Sequence, residues 1–98
     1  MMALTKLFDG IKKYLAKPKH RSVYAVIEGQ YLGEFFVFME SRAGSHAFLS
    51  LPDMKLREMP VDSFKYALDC NILDRQRPLP RDTYEVCRAQ YRKLTAEQ

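Results

Sequence analysis

The apolar positions change rhythm twice along the chain. Leu4, Leu7, Phe8, Ile11, Tyr14 and Leu15 recur at the i, i+3, i+4, i+7 spacing of an amphipathic helix. Lys17-Pro18-Lys19-His20-Arg21 ends it, because the residue before a proline is pushed out of the helical region. From Ser22 the pattern becomes that of strands. "SVYAVIE" (Ser22–Glu28) and "GEFFVFME" (Gly33–Glu40) are rich in β-branched and aromatic residues. "HAFLSL" (His46–Leu51) reads as a third strand and "KLREM" (Lys55–Met59) as a short, charged edge strand. Beyond Pro60 the helical rhythm returns. Val61, Phe64, Ala67 and Leu68 share one face, and Tyr84, Cys87, Tyr91 and Leu94 form a seam on a last helix that Pro80 opens. "NILDRQRPLP" between them reads as an irregular connection anchored by Ile72, Leu73 and Leu79.

These elements predict one α+β domain over residues 1–98. A basic amphipathic helix (1–17) and a basic linker (18–21) precede an antiparallel meander of three or four strands (22–59) and a helical part (60–98). A curled meander closing into a small SH3-like barrel is the alternative. Gly29-Gln30 fits a two-residue hairpin loop, which sets Tyr24 opposite Phe35 and Val26 opposite Gly33. One face then carries Tyr24, Val26, Phe35, Val37 and Met39. The other carries Val23, Ala25, Ile27, Leu32, Phe36 and Phe38, together with Glu34 and Glu40. Phe64, Leu68, Tyr84, Cys87 and Tyr91 are expected to cover one face. The first helix, or a second copy of the chain, is expected to cover the other. Phe36, Phe38 and Phe48 are the candidate protein-interaction surface on that second face.

Charge sharpens this picture. The net charge is +4. Residues 1–21 hold six cations against Asp9 alone, a net of +5, while residues 22–98 hold ten cations against eleven carboxylates. Such an excess suits an anionic partner. Lys12, Lys13, Lys17, Lys19, His20 and Arg21 are therefore candidate contacts to nucleic acid or to an anionic membrane surface.

Chemistry is sparse by comparison. Cys70 and Cys87 are too few for a disulfide scaffold and read as reduced thiols of a cytoplasmic protein. No metal-ligand spacing is present, so no metal or cofactor is expected. Nucleophilic catalysis needs a histidine base, and His46, flanked by Ser45 and Ala47 at a loop–strand junction, is the only candidate inside the folded body; it reads as a surface or half-buried histidine. No run of apolar residues is long enough for a transmembrane helix, and no secretory signal is apparent. The expected function is a non-catalytic interaction module that binds a protein partner or itself through a sheet face. Nucleic-acid binding by the basic arm is the alternative, and peripheral membrane association by the first helix is the third reading. No small-molecule substrate is expected.

Overall fold

The computed structural model describes residues 18–97. The amphipathic helix expected over residues 1–17, with Lys12, Lys13 and Lys17, lies outside them. Five strands form an open antiparallel sheet: β1 (Val23–Val26), β2 (Phe35–Arg42), β3 (Ser45–Leu51), β4 (Lys55–Pro60) and β5 (Leu73–Arg75). Their order is β4-β3-β2-β1-β5. Two helices follow the meander, α1 (Val61–Asp69) and α2 (Arg81–Ala96). The α+β class with an antiparallel sheet is as expected. The sheet ends at β4 and β5 instead of closing, so the barrel alternative is not this fold.

β5 is the element that sequence reading misses. It is three residues long, and two of them, Asp74 and Arg75, are exposed. No period can show in so short a run. It exists because β1 has an otherwise open edge, whose backbone groups need partners. Tyr24, Ala25 and Val26 pair with Arg75, Asp74 and Leu73.

β5 also decides where the helices go. α1 leaves the sheet at β4, packs across one face, and delivers the chain to β5 at the far edge. α2 then returns over the opposite face. Tyr24, Val26, Phe36, Phe48 and Leu73 pack with Phe64 and Ala67 of α1. Val23, Val37 and Leu49 pack with Tyr84 and Cys87 of α2. The expectation that Phe64, Leu68, Tyr84, Cys87 and Tyr91 share one face is therefore corrected. The two C-terminal helices divide the faces between them.

The expected register is also corrected, by one residue. Tyr24 pairs with Phe36 and Val23 with Val37. The β1–β2 connection is longer than two residues. The Val26 amide donates to the Glu34 carbonyl at 2.9 Å, and the Gly33 amide donates to the Val26 carbonyl at 3.2 Å. Gly29 and Gly33 both have positive φ, 97° and 92°, a conformation that costs glycine little. Because side chains alternate with period two, the slip moves every β1 side chain to the other face.

A bulge makes the third correction. The β2–β3 register runs Phe38↔Phe48 and then Glu40↔Ala47, which leaves Met39 as an extra residue. Glu34 and Glu40 consequently face opposite sides of the sheet, although strict alternation predicts one side. Glu34 binds Arg57 on the α1 face, with Nε to Oε1 at 3.2 Å. Glu40 accepts a hydrogen bond from the Tyr91 hydroxyl of α2 at 2.7 Å.

Candidate interaction surfaces

The three phenylalanines expected on a surface lie beneath α1. Phe36 is 2% exposed, Phe48 is 0% exposed, and Phe38 is half-buried against the same cluster. Phe48 sits at the centre, with the rings of Tyr24, Phe36, Phe38, His46 and Phe64 all between 5.6 and 6.4 Å away. These rings are core, so a partner has no access to Phe36 and Phe48 in this fold.

The exposed apolar surface is elsewhere, on the α2 face at the hairpin end of the sheet. α2 covers the row Val23–Val37–Leu49. The next row towards the β1–β2 loop is Asp74–Ala25–Phe35–Leu51, in strand order β5 to β3. Phe35 in its middle is 42% exposed. Met54, in the turn after β3, continues the row and forms a groove with Val86, Ala89, Gln90 and Lys93 of α2. Ile27, which continues the β1 alternation, and Leu32 in the adjoining loop are exposed as well. The two-residue hairpin register places Phe35 on the Tyr24 face, whereas the observed pairing of Tyr24 with Phe36 puts it on the α2 face.

The basic linker is built into the domain. The Lys19 amide donates to Ser22 Oγ, and the Ser22 amide donates to the Lys19 carbonyl, both at 3.0 Å. The His20 ring packs edge-on against Tyr84 of α2, with centroids 4.7 Å apart. The Leu79 amide donates to the Arg21 carbonyl at 3.0 Å, and the Gln76 amide donates to the Val23 carbonyl at 2.9 Å. The segment from Arg75 to Leu79 therefore runs alongside Arg21–Tyr24. This juxtaposition brings Arg77 and Arg81 to the same edge as Lys19 and Arg21.

Two polar arrangements look chemical at first sight. Arg42, Ser45, Tyr91 and Thr95 line a cleft of about 220 Å³ between α2 and the β2–β4 strands. That is below the ~300 Å³ of ordinary small-molecule sites. Its charged groups already serve each other. Arg42 Nε donates to Glu40 Oε1 at 2.8 Å, and Tyr91 donates to Glu40 Oε2. Arg42 first, and then Tyr91, holds the Glu40 carboxyl below its ordinary range. Burial first, and then the bond to Glu40, pushes the Tyr91 phenol up to about 12. Both shifts describe a satisfied structural network.

The second arrangement is Ser41 and His46, whose Oγ and Nδ1 lie 2.7 Å apart. His46 is packed edge-on among Phe38, Phe48 and Phe64, and burial lowers its pKa below 6.5. The buried ring is neutral, while the unfolded chain takes up a proton near pH 6.5. Stability is therefore present above that pH and falls as pH drops below it. One proton limits the slope to about 1.4 kcal/mol per pH unit. The urea midpoint of the wild type should fall between pH 7 and 5.5, and this part of the slope should be missing in His46→Phe. An identical slope in the two proteins would refute the assignment.

The cysteines lie on opposite sides of the sheet. Cys70 is exposed at the end of α1, and Cys87 is buried under α2. Among the described residues, no group of three or more His, Cys, Asp or Glu side chains is placed to hold a metal ion. No described helix is long and apolar enough to cross a membrane. Compared with protein-family models, with curated proteins and with solved structures, the chain shows no match. Its function must be argued from these surfaces.

Proposed function

We propose that the chain is a non-catalytic interaction module that pairs with a second copy of itself through the hairpin end of its α2 face. The observation that carries this reading is the exposed Phe35 between half-buried Ala25 and Leu51, beside the exposed Ile27 and the Met54–Val86 groove. Contiguous apolar surface of this kind marks interaction sites. The charges at its two ends favour a copy of the chain over an unrelated surface. Asp74 ends the row at β5, and Lys93 lines the groove beyond Met54. A two-fold axis through Phe35 sets Asp74 of each protomer against Lys93 of the other, as an isologous contact requires.

Light scattering on the full chain tests this. The wild type should show the mass of a dimer at high concentration, and Phe35→Glu should show a monomer with an unchanged circular dichroism spectrum. Asp74→Lys should weaken the dimer, and adding Lys93→Asp to the same chain should restore it. A wild type that stays monomeric at several hundred micromolar overturns the reading.

A further inference from the structure

The fold sorts charge in a way the sequence order does not display. Tyr84, Cys87 and Tyr91 turn α2 towards the sheet. Val86, Gln90 and Lys93 form its flank on the Met54 side. Arg81, Arg88 and Arg92 recur at i, i+7 and i+11 and therefore share the other flank. That flank faces the edge where His20 packs on Tyr84. Arg88 lies four residues after Tyr84 on α2 and therefore borders the same ring.

The resulting face holds Lys19, Arg21, Arg77, Arg81, Arg88 and Arg92 against a single carboxylate, Glu85. Its net charge is five positive. The remaining described residues hold six cations against ten carboxylates, a net of four negative. Two of those six cations, Arg42 and Arg57, are already paired with Glu40 and Glu34. The molecule is thus strongly polarised. The sequence before Pro18 holds a further four lysines against Asp9.

We propose that this face binds the phosphate backbone of nucleic acid without reading its sequence. Five of its six cations are arginines, whose planar guanidinium forks match phosphate oxygens in pairs. The described large apolar side chains that are exposed, Ile27, Leu32, Phe35, Val61, Tyr66 and Val86, are not among its residues. A membrane-binding face needs such side chains to enter the lipid. Of the two aromatic rings at the face, Tyr84 is 3% exposed, and the exposed His20 ring is already engaged edge-on with it. Backbone contact is the chemistry that remains. This proposal is independent of self-association through Phe35, which uses the other flank of α2.

Fluorescence anisotropy of the full chain with labelled 20-mer single strands and duplexes tests it. About five phosphate contacts should make affinity fall roughly 100- to 1,000-fold between 50 and 200 mM salt. Arg88→Gln/Arg92→Gln should lower the log–log salt slope by about 2. Lys55→Gln/Lys65→Gln makes the same charge change away from the face and should leave the slope as it is. Circular dichroism confirms that both variants fold. No binding at 50 mM salt, or equal slopes in the two double variants, overturns the proposal. It is also overturned if vesicles of 30% phosphatidylserine bind in an Arg88- and Arg92-dependent way while nucleic acid does not.

Discussion

Phe48→Ala should lower stability by about 3–5 kcal/mol, within reach of unfolding the protein at room temperature. A chain of this length has only about 5–15 kcal/mol in total. Phe48 is fully buried and its ring meets five other rings, three of them through edge-to-face contacts with Tyr24, Phe38 and His46 and one through a stack on Phe64. Truncation removes the transfer free energy of the ring. It also leaves a cavity that rigid aromatic neighbours from three strands and α1 cannot collapse to fill. The melting temperature should drop by more than about 12 °C. Phe35→Ala is the internal control. The side chain is of the same type, but it is 42% exposed at the edge of the α2 face, so its loss should cost about 1 kcal/mol or less. Reading the hairpin with a two-residue loop inverts this order, because that register buries Phe35 beside Tyr24 and leaves Phe36 and its neighbour Phe48 as surface. Equal melting temperatures for the two variants would contradict the fold.

Much of the secondary structure is legible in the sequence because the apolar period is strong. Lys55–Met59 and the helix opening at Val61 match β4 and α1 closely, and Pro80 stands directly before α2. What is not legible depends on pairing. A weak turn signal at Gly29-Gln30 does not reveal that a second glycine, Gly33, also takes positive φ and lengthens the loop. Nothing in "FFVFMESR" marks Met39 as a bulge, since the extra residue is defined only against β3. β5 carries no pattern, and without it the division of the two helices between the faces cannot be foreseen.

The surfaces follow the same rule. The apolar row is hidden because its centre, Phe35, belongs to the greasiest strand in the chain and looks like core. The basic face is half visible. Lys19, His20 and Arg21 stand out in the sequence, whereas Arg77, Arg81, Arg88 and Arg92 are diluted by Asp74 and Asp82 in the linear order. Pairing of β5 with β1 and the turn of α2 separate them. Charge asymmetry along this chain therefore understates its charge asymmetry in space.

The two cysteines test the division of the faces directly. Cys87→Asp should remove most of the stability, while Cys70→Asp should change it by about 1 kcal/mol or less. Cys87 is 0% exposed and packed with Val23, Val37, Leu49 and Tyr84. No described cation is paired there, and burial alone raises the thiol's own pKa. A carboxyl at that position must stay protonated. Holding a group of ordinary pKa near 3.9 neutral at pH 7 costs about 4 kcal/mol, before the loss of its hydrogen bonds to water is counted. At Cys70 the same carboxylate remains in water beside the Tyr66 hydroxyl, at the unfavourable C-terminal end of the α1 dipole. The cost at Cys87 should also shrink as pH falls towards 4, where the unfolded chain takes up the proton too. If both variants melt within a few degrees of the wild type at pH 7, α2 does not cover the Val37–Leu49 row, and the two-faced sandwich is wrong.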